Sequence, residues 1–127
     1  MAVLGFTTVG SLLKEQSDKV AAKGIEAFGV TVIDDSDGKH DPIGSSNAQL
    51  HLFMQLKREN VTHMLFQSSE QADIFISNME RYYGKEKADG FLSKVEIMTT
   101  GDASAYFSAR GKESKQFTSF DDVLSVL

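Results

Sequence analysis

The hydrophobic pattern changes period along the chain, and each change marks an element. Val61-Thr62-His63-Met64-Leu65-Phe66-Gln67 is a short apolar run that stops at Ser68-Ser69-Glu70. Beyond it, Ala72, Phe75, Ile76, Met79, Tyr82 and Tyr83 recur mostly at three- and four-residue steps. The first pattern is that of a buried strand and the second that of an amphipathic helix, together half of a βαβ unit. Alternation along the strand puts Met64 and Phe66 on one face and His63, Leu65 and Gln67 on the other.

The remaining elements are read the same way. Residues 2–7 form a short strand or a docked arm. Val9, Leu12, Leu13, Val20, Ala21, Ile25 and Phe28 predict a helix of about five turns that stops at Gly29. Val30-Thr31-Val32-Ile33 is β-branched and reads as a strand, closed by Asp34-Asp35-Ser36-Asp37-Gly38. A hairpin return through Lys39 to Ile43 is compatible with the Asp-Gly turn, with Pro42 confining it to an edge or a loop. Ala48, Leu52, Phe53 and Leu56 build a second helix. Lys85 to Gly90 reads as a charged loop, and Val95-Glu96-Ile97-Met98 as a strand. Residues 105–109 are expected to pair with 116–118 as a hairpin. Ser119, with Asp122 three residues on, opens a last short helix. The expected fold is a single small α/β domain over residues 1–127, with a mixed, mainly parallel sheet of four to six strands and helices packed on it.

Composition narrows the chemistry. There is no cysteine, which removes disulfides, thiolate catalysis and Cys-ligated zinc. A net charge of −5 argues against general nucleic-acid binding, because that activity neutralises phosphates with Lys and Arg. No cation precedes the apolar N-terminus, and no run is long enough to span a bilayer, so a soluble cytoplasmic protein without membrane contact is expected. No Gly-x-Ser-x-Gly elbow, phosphate-binding glycine loop or His-x-x-x-His pair is present.

What remains is positional. Ligands of an open parallel sheet bind beyond the carboxyl ends of its strands. Three predicted strands end in polar clusters, at Asp34-Asp35, at Gln67-Ser68-Ser69-Glu70 and at Thr99-Thr100-Gly101-Asp102. If the strands are parallel these gather on one rim, with Gln67, Ser68, Ser69 and Thr100 as ligand-binding candidates and Asp34, Asp35 and Asp102 as metal candidates. Ordinary turn and cap chemistry accounts for the same residues without a ligand.

The leading expectation is a non-catalytic binding or protein-interaction module without a cofactor, acting as a homodimer or with a protein partner. One alternative is a small magnesium-dependent phosphoryl-transfer or phosphate-ligand enzyme using those acids and serines. Another is a single-stranded nucleic-acid accessory using Arg110, Lys112 and Lys115 with Tyr106 and Phe107. The catalytic residues of any enzyme are not legible in the sequence.

Overall fold

The computed structural model describes residues 2–33 and 42–127, with side chains from Asn47 onward in the second stretch. Five strands form one sheet in the order β2-β1-β3-β4-β5, and every pairing is parallel. The strands are β1 (Val3–Val9), β2 (Glu26–Ile33), β3 (His63–Phe66), β4 (Glu96–Thr99) and β5 (Lys115–Gln116). The helices among the described residues are α1 (Leu13–Ala22), α2 (Pro42–Lys57), α3 (Ser69–Tyr83), α4 (Lys85–Leu92), α5 (Ala103–Ala109) and α6 (Phe120–Ser125), with a 3-10 turn at Gly10–Leu12.

This is a doubly wound arrangement. The chain moves outward from β1 to β2, then crosses back over β1 to β3 and continues to β5. Crossovers between parallel strands keep one hand, so reversing direction moves the connecting helices to the other face. The core divides accordingly. Leu4, Phe6, Leu65 and Met98 meet Val20 of α1 and Phe120, Val123 and Leu124 of α6 on one face. On the other, Val30, Val32, Met64, Phe66 and Ile97 meet Leu52, Phe53 and Leu56 of α2, with Phe75, Ile76 and Met79 of α3, Ala88 and Leu92 of α4, and Phe107 of α5. The alternation expected for β3 is present, with Met64 and Phe66 on one side and Leu65 on the other.

The α/β class and the strand number are as expected; four details differ. The sheet holds no antiparallel pairing among the described residues, because 103–109 is helix and β5 runs parallel to β4. Ala103 and Phe107 are one turn apart and both fully buried, and that spacing outweighs the β-propensity of Tyr106-Phe107. The first helix is shorter than five turns: it ends at Ala22, and Ile25 and Phe28 belong to the approach to β2 and to β2 itself. Pairing with β1 over the whole of Glu26–Ile33 recruits residues whose local pattern also fits a helix. The segment read as a charged loop is α4, which buries Ala88 and Leu92 one turn apart beneath its charged face. Pro42 and Ile43 are helical, in the first turn of α2 where proline is tolerated; the rest of the expected hairpin, Asp34 to Asp41, lies outside the described residues.

Candidate functional site

All five strands run the same way, so their carboxyl ends share one rim. The winding reverses between β1 and β3, where doubly wound sheets open a crevice. Here that position is filled by the chain's own amides and hydroxyls. The Thr7 hydroxyl donates to Gln71 Oε1 at 2.8 Å. Gln67 Nε2 donates to the Thr7 carbonyl at 2.8 Å and to Gln16 Oε1 at 2.8 Å, and Gln16 Nε2 returns a bond to Gln67 Oε1 at 2.9 Å. A backbone carbonyl only accepts, so the Thr7 contact fixes which way both glutamine amides point. Thr7, Thr8, Gln16, Gln71, Thr99 and Thr100 are all buried. None of these side chains changes charge near neutral pH. Thr8 Oγ1 is buried without a hydrogen-bond partner among the described residues.

The adjoining turns lock β3 to β4. Ser68 caps α3, its Oγ accepting from the Gln71 amide at 3.0 Å. Ser69 donates its amide to Asp102 Oδ1 at 2.8 Å and its hydroxyl to the Asp102 carbonyl at 2.7 Å. Asp102 occupies the N-cap position of α5, yet its carboxylate serves α3 instead. A helix N-terminus attracts an anion through its free amides and its dipole; at α3 the chain supplies that anion itself. Gly101 makes the approach possible. Its φ is +60°, and a Cβ there would lie 2.9 Å from the Gln67 carbonyl oxygen.

Five of the seven candidate positions therefore come together. Gln67, Ser68, Ser69, Thr100 and Asp102 line the β3–β4 side of the rim, and the Thr100 amide donates to the Phe66 carbonyl at 3.1 Å. Asp34 and Asp35 lie outside the described residues. Among the described residues no group of three or more His, Asp or Glu side chains is placed to hold a metal ion.

Two rim residues carry a signal that the strand-end reading passes over. Gln16 falls on the apolar stripe of α1, between Leu12 and Val20, and Gln71 lies one turn before Phe75. A polar side chain on an apolar stripe points to a buried hydrogen-bond partner. His63 lies at the opposite end of β3, with Nε2 3.0 Å from Glu96 Oε2 and Nδ1 2.7 Å from the Thr62 hydroxyl, and takes no part in the rim.

The aromatic and cationic residues near the C-terminus separate. Phe107 is fully buried, Lys115 pairs with Glu96 at 3.2 Å, and Arg110 stacks on Tyr106 with Cζ 4.3 Å from the ring centroid. Burial pushes the Tyr106 phenol above its usual range against the pull of Arg110, so the ring is neutral at physiological pH. No helix among the described residues is long and apolar enough to cross a membrane. No protein-family model and no curated protein matches the chain.

Proposed function

We propose that the chain is a non-catalytic interaction module that self-associates through the outer edge of β2. The observation that carries this reading is the inequality of the two sheet edges. β5 contributes only two residues, led by a lysine, which is how edges are ordinarily blunted. β2 runs eight residues as Glu-Ala-Phe-Gly-Val-Thr-Val-Ile, with no lysine, arginine or proline, and no strand among the described residues pairs with its outer side. Its one irregularity is an extra residue where the register slips between Thr8 and Val9, which leaves Glu26 to Thr31 regular.

Such an edge offers a row of main-chain donors and acceptors to another strand. A second copy in antiparallel register is the self-complementary choice, since a two-fold axis repeats every contact. Centred on Gly29, that register sets Glu26 against Val32 of the other copy, and no like charges face each other. The rim supports the non-catalytic half of the reading. Its buried polar groups are neutral and bonded mostly to one another, and the Asp102 carboxylate that magnesium-dependent phosphoryl transfer would draw on already serves the Ser69 amide through Oδ1.

Sedimentation equilibrium across a hundredfold concentration range tests the proposal. The expected result is a monomer–dimer equilibrium that Thr31→Lys shifts to monomer, with the circular dichroism spectrum retained. A wild-type protein that stays monomeric throughout removes the reading.

A further inference from the structure

We infer that the cavity between α3, α4 and α5 binds the phosphate group of a small phosphate monoester. The cavity measures about 200 Å³ and is lined by Ile76, Lys85, Asp89, Phe107, Arg110 and Lys112. Three cations and one carboxylate leave it a formal charge of +2, on a chain whose net charge is −5. A concave site of one sign opposes the field of the whole molecule and concentrates counter-charge.

The local fold holds these cations in place. α5 ends in a glycine-capped turn in which Gly111 has φ +71°, its amide donates to the Ser108 carbonyl and the Lys112 amide donates to the Phe107 carbonyl at 2.9 Å. This paired bonding fixes the chain on both sides of the glycine, and so places Arg110 and Lys112 together. The Arg110 guanidinium lies over the Tyr106 ring and forms a long ion pair with Asp73 at 4.0 Å. Stacking orients the guanidinium while leaving its five N–H donors for a ligand. Lys112 gives one donor to Asp89 at 3.2 Å and keeps two. Lys85 makes no ion pair or hydrogen bond among the described residues. It sits in the first turn of α4, where the helix dipole disfavours a cation. An anion between Lys85 and the α5 turn offsets that cost.

A phosphate monoester fits this set best. It carries close to two negative charges near neutral pH and presents three acceptor oxygens, matching the charge and the three cationic side chains. The Ile76 and Phe107 side chains form an apolar wall for a short ester group. The volume is below the roughly 300 Å³ at which pockets for drug-sized ligands begin, which restricts the ester to a few atoms. The cations form a cluster and no stripe, since Lys115 is held by Glu96 at the β4 edge; a nucleic-acid strand would need a longer track.

The inference does not depend on the pairing of β2. It is tested by amide NMR titration of the ¹⁵N-labelled chain with inorganic phosphate and with glycerol 3-phosphate at constant ionic strength. Saturable shifts are expected at Lys85, Asp89 and Arg110 to Lys112, tighter for the ester. Lys85→Gln and Arg110→Gln should each weaken binding about tenfold, the usual scale of a charged hydrogen bond. Asp89→Asn, which removes the competing carboxylate, should tighten it. Lys85 makes no ion pair or hydrogen bond among the described residues, so its variant remains informative if Arg110→Gln fails to fold. Unsaturating shifts spread over the surface lysines, or unchanged affinity in Lys85→Gln, overturn the inference. Tighter, salt-sensitive binding of a single-stranded oligonucleotide at the same residues overturns it in favour of nucleic acid.

Discussion

The carboxyl rim of the sheet and the cavity flanking α3 to α5 use polar residues in opposite ways. At the rim, Thr7, Gln16 and Gln71 are buried and Gln67 half-buried, and all four are neutral and bonded to one another. In the cavity, Lys85, Arg110 and Lys112 are charged, solvent-facing and only partly compensated. Burial decides the difference. A buried polar group left unpaired costs about 1–3 kcal/mol, so selection for folding closes its bonds within the chain. A charge in contact with water carries little such penalty and can stay uncompensated. The topological crevice, the first place to look for chemistry in this architecture, is here a structural joint. The uncompensated groups lie past the C-terminal ends of α3 and α5.

That contrast can be broken at three points. The largest effect is expected at Gln67→Leu, which strips the Thr7 carbonyl and the Gln16 amide of partners at once. Urea unfolding should show a loss of about 3 kcal/mol, and Gln16→Leu added to it should cost less than the two single losses combined, because an apolar pair replaces a half-empty network. A loss below about 0.5 kcal/mol would mean that the rim is open to water. Asp102→Ala should cost about 1 kcal/mol, as expected for removing a helix cap. Millimolar magnesium, manganese or calcium should leave the wild-type melting temperature unchanged; a rise that disappears in Asp102→Ala would return this carboxylate to the metal reading. The smallest effect is expected at Lys85→Gln, whose stability should stay within about 0.5 kcal/mol of wild type, even though it should lose phosphate affinity. A marked destabilisation there would make the cavity another structural joint.

Legibility in the sequence followed how local the physics was. The strand–turn–helix from His63 to Tyr83, with its Ser68 cap, could be read because period, turn and cap all agree over one short stretch. The same held for the Ser119 cap of α6, whose Oγ accepts from the Asp122 amide at 3.2 Å. α4 was hidden because five of its eight residues are charged or glycine, and only burial of Ala88 and Leu92 against a distant core makes it a helix. Residues 105–109 misled for the converse reason: aromatic propensity for strands is a weak preference that tertiary packing overrides.

At the candidate site, sequence placed Gln67, Ser68, Ser69, Thr100 and Asp102 at strand ends, because hydrophobic runs must stop at polar residues. It had no means of showing that Asp102 turns away from its own helix to cap α3, or that Gln16, 51 residues before Gln67, closes the crevice with it. Alone, then, the sequence determined the α/β alternation, the facing of side chains along β3 and the Ser68 and Ser119 helix caps, all set by contacts within a few residues. The tertiary structure decided the all-parallel order, the filling of the rim and the convergence of Lys85 with Arg110 and Lys112. Each depends on which segments meet across the sheet, and such meetings leave no period in the chain.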